Sequence, residues 1–146
     1  MTRIRILRYD RDPNPSGRRG YKNRDVICAA AGEMALDIKD ADRYGDFPGQ
    51  PGMGTLVVEK APDYHAIIIN SMSPDAQRAL DDTLVALELH GCGFDRLIYI
   101  HGEEGNGTHK ELEQKGVCCV RARGGNGHLL PQDAVGVVQA ISRLAN

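Results

Sequence analysis

Short β-branched apolar runs alternating with stretches of helical periodicity constrain this chain more than any other feature. His65-Ala-Ile-Ile-Ile-Asn70 and Arg96-Leu-Ile-Tyr-Ile100 are apolar at consecutive positions, and Val117-Cys-Cys-Val-Arg121 repeats the pattern. A strand with no polar face is buried on both faces. Between these runs, Ser73-Pro-Asp75 opens a helix with an N-cap serine and proline at its first position; Ala76, Leu80, Thr83 or Leu84, and Leu87 form its stripe, and Gly91 ends it. A short helix is expected near Lys110 to Lys115, and a final one after Pro131 with Val135, Val138, Ile141 and Leu144 facing inward. Strands separated by helices predict a single α/β domain over residues 1–146: three layers, α/β/α, on a mostly parallel or mixed sheet of about five to six strands.

Two stretches are harder to assign. Thr2 to Tyr9 alternates, with Ile4 and Ile6 on one face and Arg3, Arg5 and Tyr9 on the other, the pattern of a half-exposed edge strand. From Asp25 to Ile38 the favoured reading is a short strand, Val26 to Cys28, feeding a helix around residues 32–40. The alternative is one helical stripe through Ile27, Ala30 or Ala31, Met34 and Ile38. Tyr44 to Gly54 holds four glycines and two prolines and is expected to be a loop rimming a site. Thr55-Leu-Val-Val-Glu59 is strand-like.

Composition narrows the function classes. Hydrophobic residues make up 41% and charged residues 26%, values of an ordinary globular chain. Trp is absent and there are two Phe, so stacking platforms for single-stranded nucleic acid are not expected. The formal net charge of −2 supplies no general field for a polyanion, despite the arginines crowded between Arg3 and Arg24, so a nucleic-acid partner is disfavoured. No run approaches the ~20 apolar residues of a membrane span, and the opening ten residues alternate Arg with Ile where a signal peptide would be apolar; a cytoplasmic location without membrane contact is expected. Cys28, Cys92, Cys118 and Cys119 lack metal-ligand or disulfide-framework spacing, so reduced thiols and no metal are expected. No resident cofactor is implied.

In open α/β sheets ligands bind beyond the carboxyl ends of the strands. His101-Gly-Glu-Glu-Gly-Asn-Gly-Thr108 occupies such a place. Gly102, Gly105 and Gly107 allow close backbone approach, and Asn106 and Thr108 add polar groups, so the turn is read as a binding loop for phosphate, helped by the dipole of the following helix. Glu103 and Glu104 argue against a triphosphate, and the Walker pattern is absent. Asp10, Asn70 and Ser71 end neighbouring strands and are expected in the same crevice, with Arg121 and Arg123 as phosphate clamps. His101 and His128 are the candidate acid and base, with His109 in the same region. The expected ligand is a small phosphorylated nucleotide. Hydrolysis through one histidine, and a non-catalytic assembly or regulatory role with possible homo-oligomers, are the alternatives.

The order of features resembles the macrodomain family, which binds ADP-ribose and in some members hydrolyses its derivatives. Ile4-Arg-Ile-Leu-Arg-Tyr-Asp10 resembles the family's opening strand with its adenine-contacting aspartate. Asp25-Val-Ile-Cys-Ala-Ala-Ala-Gly32 resembles the strand running into its Asn-Ala-Ala-Asn signature, with Cys28 and Gly32 where asparagines would stand. Gly54-Thr-Leu-Val-Val58 and His65 to Asn70 resemble the central strand pair, and Ile98 to Gly107 falls at the diphosphate loop. The resemblance implies an ADP-ribose-like ligand, with Asp10 near the base and the residues from His101 to Thr108 around the phosphates.

Overall fold

The computed structural model describes residues 3–10, 22–102 and 107–145. Among the described residues five strands form one sheet: β1 (Ile4–Tyr9), β2 (Leu36–Asp40), β3 (Ala66–Asn70), β4 (Leu97–His101) and β5 (Cys118–Arg121). Their order is β2-β1-β3-β4-β5 and every pairing is parallel. Five α-helices among the same residues cover it: α1 (Lys22–Ala31), α2 (Met53–Lys60), α3 (Ala76–Leu89), α4 (Thr108–Gln114) and α5 (Pro131–Ala145). The α/β/α expectation is met, with five strands.

Successive side chains of a strand point to opposite faces, and here that rule divides the core in two. Leu7, Tyr9, Ile67, Ile69, Leu97 and Tyr99 face one way and pack beneath α2, α3 and α4, through Met53, Leu56, Leu80, Leu87 and Leu112. Ile6, Ala66, Ile68, Ile98 and Ile100 face the other way and meet Ile27 of α1 and Ala134, Val137 and Ile141 of α5. The consecutive isoleucines of β3 are all fully buried because both faces are roofed. β1 is likewise an inner strand between β2 and β3, where an edge strand was expected.

Three other assignments differ from expectation. Val26 to Cys28 lies inside α1, and the strand comes afterwards, as β2. Ile27 and Ala31, one helical turn apart, are buried apolar residues of α1, and the alanines between favour helix. Gly32 then takes φ +60°, the left-handed conformation that ends a helix. Thr55 to Glu59 is in α2, because Met53, Leu56 and Val57 recur at helical spacing on its buried face; the tertiary surface overrides the β-preference of two valines. α3 starts at Ala76, after Asp75 in the left-handed region at φ 57°. The N-cap position is therefore Asp75, where Ser73 was expected, and Asp75 makes no side-chain capping bond; the Ser73 hydroxyl donates to the carbonyl of Tyr9 at 3.4 Å. Among the described residues no helix is long and apolar enough to cross a membrane.

Candidate functional site at the carboxyl edge of the sheet

All five strands run the same way, so their carboxyl ends share one edge. In this strand order the connections from β1 and β3 leave toward opposite faces, which opens a crevice between them. The alternation that divides the core also divides the polar residues of this edge into two groups.

On the α1 and α5 face lies a buried ionic network. Arg8, 1% exposed, reaches Asp40 from Nε at 2.5 Å and Asp10 from Nη1 at 3.1 Å. Asp40 also holds Arg24 at 2.5 Å. Asn23 donates to Asp10 at 2.7 Å and to the carbonyl of Gly127 at 2.9 Å, and its own oxygen accepts from the Leu129 amide at 2.8 Å. Asn70 donates to the same Gly127 carbonyl at 2.9 Å and accepts from the Met72 amide at 3.0 Å. Burial raises the Asp10 pKa, opposed by the Arg8 charge and by hydrogen bonds from Asn23 and Asn70. Asp10 and Asn70, both expected at the ligand, are tied into this network.

On the opposite face stands a row of three polar side chains. β4 and β5 pair His101 with Arg121, and Asn70 pairs with Ile100. The Ser71 amide extends that ladder by donating to the Ile100 carbonyl at 2.8 Å. Ser71, His101 and Arg121 therefore sit side by side on three adjacent strands, roughly 4.8 Å apart. Tyr99 lies one step back on β4, and its hydroxyl shares a hydrogen bond with Ser71; burial pushes its pKa up. The His109 ring, from the first turn of α4, stacks on His101 with centroids 4.3 Å apart and planes 11° apart.

The tautomer of His101 follows from its partner. Nδ1 lies 3.0 Å from the Gly102 carbonyl, which can only accept, so Nδ1 carries the proton. In the neutral ring Nε2 then holds the lone pair, as a base requires. Beside it, Nδ1 of His109 is buried with no hydrogen-bond partner among the described residues, and the Cys119 thiol contacts the His109 carbonyl at 3.5 Å. Burial, with Glu113 nearby, pushes that thiol up to about 12.

The remaining candidates separate by place. Gly105 and Asn106, with Glu103 and Glu104, lie outside the described residues, as do Arg11, Arg18 and Arg19. Gly107 takes φ +70° and Gly102 does not enter the left-handed region. Thr108 starts α4, which has only seven residues and Glu111 in its first turn, so the helix field at this turn is weaker than expected. Arg123 is engaged with Asp133, through its amide at 2.9 Å and its guanidinium at 3.4 Å. Arg121 is exposed, and His128 is half-buried in the β5–α5 loop. The loop from Tyr44 to Gly54 lines two surface cavities with α2, Asp82 and the end of β2, and His101, His109 and His128 are not among the lining residues.

Arg8, Asn23 and Asp40 were not foreseen. Arg8 had a signal: it shares the strand face of Ile4 and Ile6, where a charge needs a buried partner. Among the described residues no group of three or more His, Cys, Asp or Glu could hold a metal ion.

No protein-family model matches the chain, and no curated protein matches it. Among solved structures, a 3-dehydroquinate dehydratase-like protein from Bifidobacterium longum is similar over 100% of this chain and 99% of that one, with 12% identity and a TM-score of 0.48. The macrodomain resemblance is corrected: two segments that carry it, Asp25 to Gly32 and Gly54 to Val58, fall largely in helices α1 and α2 where strands were required, and the structural likeness found is to a protein described as dehydratase-like. The ADP-ribose assignment is withdrawn with it.

Proposed function

We propose that the chain binds a small anionic metabolite, carrying a phosphate or a carboxylate, at the row Ser71, His101 and Arg121, and that His101 transfers a proton to or from it. The carrying observation is the contact of His101 Nδ1 with the Gly102 carbonyl, which leaves Nε2 the lone pair, together with Arg121 at the paired position on β5. A guanidinium recognises planar or tetrahedral oxyanions, and imidazole with an available Nε2 is suited to proton transfer near neutral pH. Ser71 supplies a hydroxyl to orient the ligand. Phosphorylated nucleotides fall within this ligand class, as do sugar phosphates and hydroxycarboxylates.

The test is a titration followed on the histidine Cε1–H resonances, using inorganic phosphate, sugar phosphates, nucleotides and small hydroxycarboxylates. At least one should move the His101 signal, and Arg121→Ala should weaken that ligand about tenfold, the loss of one charge-assisted hydrogen bond. If every compound leaves the His101 resonance in place at millimolar concentration, the proposal fails.

A further inference from the structure

We infer that the β5–α5 connection, residues 122–130, is a fixed strap over the carboxyl edge, and that Asn23 of α1 is the positioning residue that sets it relative to Ser71 and His101. The inference rests on the reading of that row as the site. The strap starts beside His101: the amide of Ala122 donates to the His101 carbonyl at 2.7 Å. Its far part is fastened beside Ser71, where Gly127 accepts from Asn70, the residue immediately before Ser71, at 2.9 Å. It thus runs from β5 to β3, two strand spacings or about 10 Å, and its two anchors adjoin two members of the row.

The fastening is built from side chains, and Asn23 uses its whole amide for it. Its nitrogen donates to the Gly127 carbonyl at 2.9 Å and its oxygen accepts from the Leu129 amide at 2.8 Å, so it grips the strap on both sides of His128. Its second donor contact, to Asp10 at 2.7 Å, places the end of β1 in the same assembly. Asn23 is 3% exposed, so water is not at hand to replace these bonds. Gly127 is at φ +78°, and a Cβ there would lie 2.7 Å from Oδ1 of Asn70. The strap fits only as a bare backbone pressed on the asparagine. Asp133 holds the last turn, accepting from the Arg123 and Leu130 amides at 2.9 Å each. Loss of Asn23 would leave Gly127 on one donor and Leu129 without an acceptor, so the strap would move against the residues beside its anchors.

Asn23→Ala in the full chain tests this by amide exchange and histidine spectra without added ligand, then by titration with inorganic phosphate. The expected result is exchange at Leu129 at least tenfold faster relative to the Ile68 and Ile98 amides, and a displaced His101 Cε1–H resonance. Val57→Ala, a core truncation on α2 remote from the strap, should leave the His101 resonance where it is. Leu129 keeping its protection relative to the core, or a His101 shift no larger than that of Val57→Ala, would overturn the inference. Should Asn23→Ala fail to fold, Gly127→Ala attacks the same contact from the strap and is read against the same two criteria. The outcomes stay separable from the anion proposal. If no anion moves His101 in the unaltered protein that proposal fails, while the strap is still judged on the ligand-free measurements. If phosphate binds, Asn23→Ala should weaken it at least threefold, and unchanged phosphate affinity would count against the strap.

Discussion

Replacing Arg8 by Met asks how much the buried network contributes and how its contribution changes with pH. The guanidinium is 1% exposed, and the side chains of its partners Asp10 and Asp40 are 5% and 11% exposed, so solvent screening removes little of the interaction. Methionine is of similar length and leaves a carboxylate behind with no cation. Breaking a buried pair in this way costs about 3–5 kcal/mol. Asp40 keeps Arg24 at 2.5 Å, so most of the loss falls on Asp10, which among the described residues retains neutral amide donors from Asn23 and Asn70. A fold worth about 5–15 kcal/mol should survive, substantially weakened. The direction with pH follows from Asp10. Its pKa in the folded protein is raised by burial and opposed by Arg8, so Arg8→Met raises it further. A carboxyl whose folded pKa exceeds its unfolded one favours the fold below the ordinary aspartate value of about 3.9, and that contribution is lost as pH rises through the folded pKa. The deficit of Arg8→Met should therefore be largest near neutrality and shrink on acidification. Arg8→Met combined with Asp10→Asn, which removes the stranded charge, should recover more than half of it. Urea unfolding followed by far-ultraviolet circular dichroism from pH 4 to 8 measures all three proteins. A cost under ~1 kcal/mol at pH 7 would refute the assignment of a buried, tightly paired charge, as would a deficit that grows toward acid.

Other parts of the edge give further expectations. Asp133→Ala removes the carboxylate that accepts from the Arg123 and Leu130 amides at the start of α5; thermal unfolding should report a loss of about 1–2 kcal/mol, the worth of an N-terminal capping group. Gly107→Ala meets no atom within 4 Å of the new Cβ but forces a side chain onto φ +70°, so it should cost about 1 kcal/mol by backbone strain alone, with no change in the His101 spectrum. Iodoacetamide labelling at pH 8, read by mass spectrometry, should modify exposed Cys28 first. Cys119, with its thiol pushed up to about 12, should label last, because on the order of one molecule in 10⁴ carries the thiolate at that pH.

Most of the architecture could be read from residue order because the decisive patterns are local. The isoleucine run of β3 cannot be one-sided, the stripe of α3 has helical spacing, and Gly91 ends that helix at φ +69°. α1 and α2 differ from the expected strands for a common reason. In Val26 to Cys28 and Thr55 to Glu59 the β-branched residues favour strand locally, and the helix is chosen by which face meets α5 or the sheet, a contact between segments far apart in sequence. Arg8 was legible in principle from its strand face. Asn23 was not, since its partners Gly127 and Leu129 lie more than a hundred residues away.

The same distinction applies within the edge, where Asn70 and Ser71 follow one another at the end of β3. A strand alternates with period two, so adjacent residues at its end belong to different faces of the sheet. Asn70 turns toward α1 and α5, where its amide meets the strap at Gly127 and the Met72 amide. Ser71 turns toward α3 and α4, beside His101 and in hydrogen-bond reach of Tyr99. The end of β4 divides likewise: Ile100 faces the α1 and α5 core, and His101 faces away from it. One step along the chain separates a residue that holds the edge together from one in the row proposed to meet the ligand. Substitutions at Asn70 and Ser71 should accordingly differ in kind, the first lowering stability together with the order of the strap, the second changing anion affinity while stability stays nearly constant.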